Sequence, residues 1–380
     1  MSRPRLVKAM KGKPRIAVLG SHSALEVCFG AKNYGFENLV VVAKDRAQTY
    51  KKYFASKRES SGQSVYFGCV DEVVEVEKFS QVLNLEIIAK LNEKFTIFVP
   101  NRSFETYLNY DYQAIEKKFK VPIFGNRYLL SIEERDNKPN QYDLLDEAQI
   151  ERPKVFKDPA KIDRLVLVKA MYQSDHGLER LFFFASGRGD FNEKIKELKK
   201  RKMLTGENLE KSIIEEYLPG VQVNFNFFYS PLTGTLELLG TDTRRQTNLE
   251  GIVKLPAAVQ PEVIKIAGLQ FEEAGHVAVT VLESFLEQAF ELGEKFVKAS
   301  KKFHKKGIIG PFALQSMIIP GKPRIKIVVF DVSPRIPGSP GIAATPYSKY
   351  LWGKPMSTGE RIAYEIEQAL TQDKIEEITT

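Results

Sequence analysis

The first 125 residues alternate between strand-like and helix-like patterns, and that alternation limits the fold more than any other feature. "RIAVLG" (15–20) reads as a strand. "SALEVCFGAKNYG" (23–35) reads as a helix that stops at Gly35, a residue suited to closing a helix. "ENLVVVA" is the next strand, "SVYFGCVDEVVEV" alternates as a strand does, "FSQVLNLEIIAKLNEK" is helical and "FTIFVP" (95–100) is a further strand. Strand and helix in turn imply α/β architecture, a parallel sheet with helices on its faces. On such sheets ligands bind beyond the carboxyl ends of the strands. The turn Gly20-Ser21-His22-Ser23 and the segment "VPNRSF" (99–104) both leave strands at that edge, so they are expected to converge on one site.

Residues 126–150 are helical and charged, with one proline break. From 151 the pattern changes. "DRLVLVKAMY" and "ERLFFFAS" are strands, "FNEKIKELKKRKML" is a helix, and "KSIIEEYLPG" and "VQVNFNFFYSP" are strands followed by "LTGTLELLGTDTRRQ". The spacing of "QAFELGEKFVKASKKF" makes 262–303 mostly helical. "GPFALQSMIIP" and "RIKIVVFDVS" form a hairpin turning near "PGKP". A Gly/Pro-rich loop and a C-terminal helix, "TGERIAYEIEQALT", come last.

The chain's 380 residues suggest two or three domains. The net charge is +8, but basic residues alternate with acids, as in "EKIKELKKRK", which describes solvated helix faces better than a nucleic-acid surface. No apolar run reaches the roughly 18 residues that cross a membrane. The basic N-terminal stretch leads into no signal-like apolar segment. The two cysteines, Cys28 and Cys69, make neither a disulfide framework nor a zinc site. A cytoplasmic, reducing setting is expected.

If the hairpin closes at Lys322–Pro323, Gln315 and Asp331 become opposite neighbours. Asp331, Ser333 and Arg335 then share a face by their period of two. Oxygen ligands beside a guanidinium suit magnesium and phosphate. A solvent-facing hairpin strand is the alternative. Lys169 ends the strand "RLVLVK", either as a phosphate-binding point charge or as an exposed residue. Glu215-Glu216-Tyr217, before "LPG", reads as an inter-domain strand whose backbone could bond an adenine. There is no nucleophile elbow, no His–Glu metalloprotease pattern and no Walker loop. None of His22, His176, His276 and His304 has metal-ligand spacing with another. The chemistry indicated is transfer by positioning and charge neutralisation, without a covalent side-chain nucleophile.

Together, "LGSHSAL", "FGNR" (124–127), "IIEEYLPG", "FFYSPL…LELLGTDTR", "GPFALQS" and "VVFDVSPR" resemble the ATP-grasp formate–ribonucleotide ligases of archaeal purine synthesis, over nearly the whole chain. The resemblance implies an ATP-grasp fold with an N-terminal parallel-sheet, Rossmann-like domain. It divides the chain into a substrate-binding region (1–125), a central lid region (126–217) and a C-terminal region with the metal and phosphate site (218–380). It implies that formate is joined to the 5-amino group of 5-aminoimidazole-4-carboxamide ribonucleotide, with ATP and Mg²⁺. His22, Ser103 and His276 are the implied ribonucleotide contacts. Lys169, Glu215, Glu216, Tyr217, Leu218 and Gln246 are the implied ATP contacts. Gln315 and Asp331 are the implied magnesium pair, and Arg335 offsets phosphate charge. Small molecules are the expected partners, with no nucleic acid and no membrane, in a homo-oligomer.

The sequence also departs from the family pattern. Where a glycine-rich phosphate lid is expected, "AMYQSDHGLERLFFF" (170–184) holds Gly177 alone, with Arg180 or His176 to supply charge. Asp331 replaces a glutamate, Gln246 a glutamate, His276 an asparagine, and "RIPGSPG" a loop richer in Gly and Asn. Two readings follow: a working ligase, or a nucleotide-binding paralogue that serves as a regulator or partner subunit.

Overall fold

The computed structural model describes residues 12–56, 68–174, 177–201, 203–210, 212–268, 270–321 and 325–380. Among them β1 (Arg15–Leu19), β2 (Asn38–Ala43), β3 (Glu72–Val76) and β4 (Thr96–Val99) form one sheet in the order β3-β2-β1-β4. All three pairings are parallel, with Ile16 opposite both Asn38 and Ile97. β1, β2 and β4 are buried along their whole length, which explains their unbroken apolar sequences. The helix Ala24–Asn33 lies beside helix Thr358–Thr371 at a glycine crossing. A Cβ on Gly359 would stand 2.0 Å from the Glu26 carbonyl oxygen, and one on Gly30 would stand 2.1 Å from Gly359. Any larger residue at either position would force the helices apart, and with them the turn that carries His22.

A second sheet has the order β11-β10-β9-β12-β13, built from β9 (Val221–Ser230), β10 (Thr235–Thr247), β11 (Phe271–Ala278), β12 (Gly310–Ile319) and β13 (Lys326–Ser333). The long amphipathic helix Leu286–Phe303 covers one face, where Phe296 stacks on Phe312 and Phe312 on Phe227. A third sheet, β5-β8-β6-β7, joins β5 (Val155–Phe156), β6 (Val166–Ser174), β7 (Gly177–Ala185) and β8 (Ile213–Glu216) in antiparallel pairs. Its apolar side, including Val166, Val168 and Phe183, packs with Phe191 and Ile195 of helix Arg188–Lys200. The chain divides into two compact units, 1–150 with 222–316 and 331–380, and 151–221 with 317–330. No helix among the described residues is long and apolar enough to cross a membrane.

The region 262–303 is mostly helical, as its spacing implies, but a strand interrupts it: helix Gln260–Ala267 ends at Gly268 (φ +69°), and β11 follows before helix Leu286–Phe303 begins. β11 pairs antiparallel with β10, placing His276 opposite Arg244, and that ladder outweighs the local helical spacing. Lys169 does not end its strand, because β6 runs on to Ser174 and pairs along its length with β7. Ser23 does not cap its helix through its side chain. It sits at the N-cap with φ +62°, and its hydroxyl instead donates to the Pro337 carbonyl at 2.6 Å.

Candidate active site

The two turns at the carboxyl edge of the parallel sheet do converge. Gly20 fits there because a Cβ would meet Val40 and Val42 at under 3 Å. The Asn101 side chain donates to the Leu19 carbonyl at 2.9 Å and to the His22 carbonyl at 2.8 Å. Its oxygen accepts from the Phe104 N–H at 3.2 Å and so caps the short helix that carries buried Ser103. His22 is exposed. The loop after β13 approaches its ring so closely that a Cβ on Gly338 would lie 3.3 Å from Nδ1. One residue further, the Ser339 hydroxyl lies 3.2 Å from His276 Nδ1. The 337–339 loop therefore has His22 on one side and His276 on the other.

His276 is held by two carboxylates. Its Nδ1 is 2.5 Å from Asp242 and its Nε2 is 3.1 Å from Glu273. Burial pulls the imidazolium down, but the Asp242 and Glu273 hydrogen bonds outweigh it and hold the pKa up at about 9. The hydrogen bond from His276 holds Glu273 down at about 2 against desolvation. Asp242 is also lowered: burial opposes its ionised form, and bonds from His276, Asn226 and Asn224 overcome that cost. His276 is thus a cation at neutral pH. A group with a raised folded pKa stabilises fully below its unfolded value, near 6.5, and loses that contribution as pH rises through about 9. Stability should fall over that window by up to about 3 kcal/mol, and His276→Gln should flatten the slope. Denaturation midpoints measured from pH 6 to 10 check this. Parallel pH profiles for the two proteins would contradict it.

The face of the five-stranded sheet opposite the helix carries a polar patch beside buried Phe228. Phe227 and Phe312 point at the helix, so Asn224 and Asn226 on β9 and Gln315 on β12, of opposite parity, point away from it. Asn224 Nδ2 donates to Asp242 at 2.9 Å and Asn226 Nδ2 at 2.7 Å. Gln315 Nε2 reaches the Ser333 hydroxyl at 3.5 Å, so it is Ser333 that bonds Gln315, with Asp331 two residues before it. The expected closure at Lys322–Pro323 lies outside the described residues, as does His176. Asp331 is partly exposed and pairs with Arg135 at 3.0 Å. Gln315 Oε1 is buried and has no hydrogen-bond partner among the described residues. An unpartnered amide oxygen near an accessible carboxylate fits a hard divalent cation that also takes water and phosphate oxygens.

Arg335 lies past the end of β13, so the period-two reading does not reach it. It is buried. Its Nη2 donates to both Glu133 oxygens at 2.9 and 3.0 Å, and its Nε to Glu105 at 3.1 Å. Gln246 sits at an irregularity in the β10–β11 register, between Arg245 and Thr247.

In the other compact unit, Lys169 Nζ is hydrogen-bonded to the buried Glu215 carboxylate. Glu216 accepts from Arg164 at 3.0 Å and from the Lys154 N–H at 3.1 Å. The Tyr217 N–H donates to Leu165, and its ring meets Phe184 edge-on at 4.9 Å. Leu218 accepts from the Gly220 N–H at 2.9 Å.

Asn224, Asn226, Asp242 and Glu273 are absent from the sequence-derived set. The alternation in "VNFNFF" (223–228) is the signal for the asparagines, since two amides between apolar residues on a strand mark one polar face.

Two family models match: "Protein of unknown function (DUF1246)" over residues 16–156 and "Domain of unknown function (DUF1297)" over residues 190–380. The 5-formaminoimidazole-4-carboxamide-1-(beta)-D-ribofuranosyl 5'-monophosphate synthetase of Methanocaldococcus jannaschii is 37% identical over 373 residues, covering 98% of this chain and 96% of that protein. The enzyme of the same name from Methanothermobacter thermautotrophicus is 35% identical over 387 residues, covering 100% and 99%. Among solved structures, the IMP biosynthesis protein PurP from Thermococcus kodakaraensis superposes with a TM-score of 0.68 at 27% identity, covering 96% of this chain and 100% of that one. The ADP complex of an N5-carboxyaminoimidazole ribonucleotide synthetase, at 12% identity, covers 92% of this chain and 79% of that one with a TM-score of 0.54, and shares the ATP-grasp fold alone. The chain belongs to the family of 5-formaminoimidazole-4-carboxamide ribonucleotide synthetases.

Proposed function

We propose that this ATP-dependent ligase joins formate to the 5-amino group of 5-aminoimidazole-4-carboxamide ribonucleotide. A formate oxygen takes the γ-phosphoryl group of ATP, giving ADP and formyl phosphate. The amine attacks the formyl carbon, phosphate leaves, a proton is lost from nitrogen, and the 5-formamino product remains. The observation that carries the reading is the polar patch of the sheet face beside the His22 turn, which sets neutral amide oxygens, a partly exposed carboxylate and a cationic imidazole in one compact unit.

Each residue has an assigned part. Gln315 and Asp331 hold Mg²⁺, which neutralises phosphate charge when bound. Lys169 serves as a phosphate point charge. The backbone of Glu215–Leu218 meets adenine, with Gln246 as a further ATP contact. His22, Ser103 and His276 hold the ribonucleotide, and the orientation they impose does the work of a covalent nucleophile. Arg335, bonded to Glu105 and Glu133, holds the start of the 334–339 loop rather than contacting phosphate.

His22→Ala separates this reading from a structural one. The His22 carbonyl keeps its bond from Asn101 whatever the side chain, and the ring is exposed, so the melting point should hardly move. KM for the ribonucleotide should rise about ten- to a hundredfold, the worth of one charged or polar hydrogen bond, with KM for ATP unchanged. A variant that melts early, or loses both substrates equally, returns His22 to structure. The reading as a whole is tested by ADP release from purified protein with ATP, Mg²⁺, formate and the ribonucleotide, omitting each in turn. Release should require all four.

A further inference from the structure

Three buried polar atoms on or beside the sheet face lack partners among the described residues and have no part in the roles assigned above: Asn224 Oδ1, Asn226 Oδ1 and Arg244 Nε. Both asparagines are almost fully buried, at 2% and 1% exposure. Their orientation is not free. Each Nδ2 donates to Asp242, and turning either amide over would set an oxygen against that carboxylate. Asp242, which also accepts from His276, therefore locks two carbonyl oxygens in place as acceptors. A buried acceptor left unbonded is destabilising, so the arrangement calls for a ligand that brings donors. Phosphate is an anion whose oxygens are mainly acceptors, and two amide oxygens beside a carboxylate would repel it. The pattern of two fixed acceptors with one guanidinium donor complements a group with two N–H₂ donors and one carbonyl oxygen.

We propose that Asn224 and Asn226, positioned by Asp242, accept hydrogen bonds from the amino groups of the acceptor substrate, and that Arg244 Nε donates to its carboxamide oxygen. The proposal rests on the ligase reading for the identity of that substrate. The asparagines then set specificity for an aminoimidazole carboxamide head, and they hold the reacting amine through its N–H rather than through its lone pair, which stays available for attack.

Titration calorimetry on the full chain tests this, with 5-aminoimidazole-4-carboxamide ribonucleotide and its counterpart lacking the 5-amino group. The unaltered protein should bind the amino compound about ten- to a hundredfold more tightly, because the analogue leaves a fixed acceptor buried and unpaired. Asn226→Leu, of similar size but without polar atoms, should shrink that ratio to within about threefold of unity, with thermal denaturation as the check on folding. Asn224→Leu is the second variant if the first does not fold. Equal binding of both compounds by the unaltered protein needs no variant and overturns the proposal, as does full discrimination retained in both folded variants. Ribonucleotide-dependent ADP release without discrimination overturns this inference alone and leaves the ligase reading standing. Failure to bind either compound overturns both.

Discussion

Asp331→Asn is expected to lower Mg²⁺-dependent turnover by about two to three orders of magnitude and to shift the Mg²⁺ requirement upward, while leaving the fold in place. The magnitude follows from losing the one carboxylate assigned to offset charge where it develops on the transferring phosphoryl group. The fold survives because an asparagine side chain still offers an oxygen to Arg135, so the partly buried guanidinium is not left without an acceptor. Arg135 keeps its bond to the Tyr142 hydroxyl at 2.9 Å. Titrating Mg²⁺ against both proteins at fixed ATP decides the matter. Overlapping curves would place the metal elsewhere.

The second large effect is at Lys169. Lys169→Met should reduce ATP turnover on the order of a hundredfold. It should also weaken the smaller unit, because the Glu215 carboxylate is buried and loses the cation beside it. The two consequences separate in the double variant Lys169→Met, Glu215→Gln. Neutralising the carboxylate should restore much of the melting temperature, since Glu215 enters the adenine assignment only through its backbone. Turnover should remain low, because no point charge has returned to the phosphates. Recovery of turnover together with stability would make the lysine a structural ion-pair partner.

The parts of this molecule that were legible in its sequence are those governed by local pattern. β1, β2 and β4 announce themselves because strands buried on both faces need continuous apolar residues. Helix Thr358–Thr371 begins and ends where its sequence says, because Ser357 and Glu360 form a reciprocal cap. β11 was not legible. Its residues "FEEAGHVA" sit between two helices, and what makes them a strand is the ladder with β10, a partner about 30 residues away. The site divides in the same way. The convergence of the Gly20–Ser23 turn with Asn101 follows from sheet topology, which alternation supplies. The Gln315–Ser333 contact depends on a register that the turn residues alone do not set. Arg335 looks like a phosphate ligand from its spacing to Asp331. Only the fold brings Glu105 and Glu133 to it, from 230 and 202 residues away in sequence. The alternation in "VNFNFF" puts Asn224 and Asn226 on one face, but what fixes their amides appears only once Asp242 is seen to accept from both.

The central claim is that formate is activated by phosphoryl transfer before the amine attacks it. The most direct measurement follows the oxygens of doubly ¹⁸O-labelled formate during turnover with ATP, Mg²⁺ and the ribonucleotide. If formyl phosphate is the intermediate, the oxygen that took the phosphoryl group departs with it. Each phosphate released should then carry one ¹⁸O, and the 5-formamino product should carry the other. Product formed with unlabelled phosphate, or ADP released with no ¹⁸O in phosphate at all, would contradict the account.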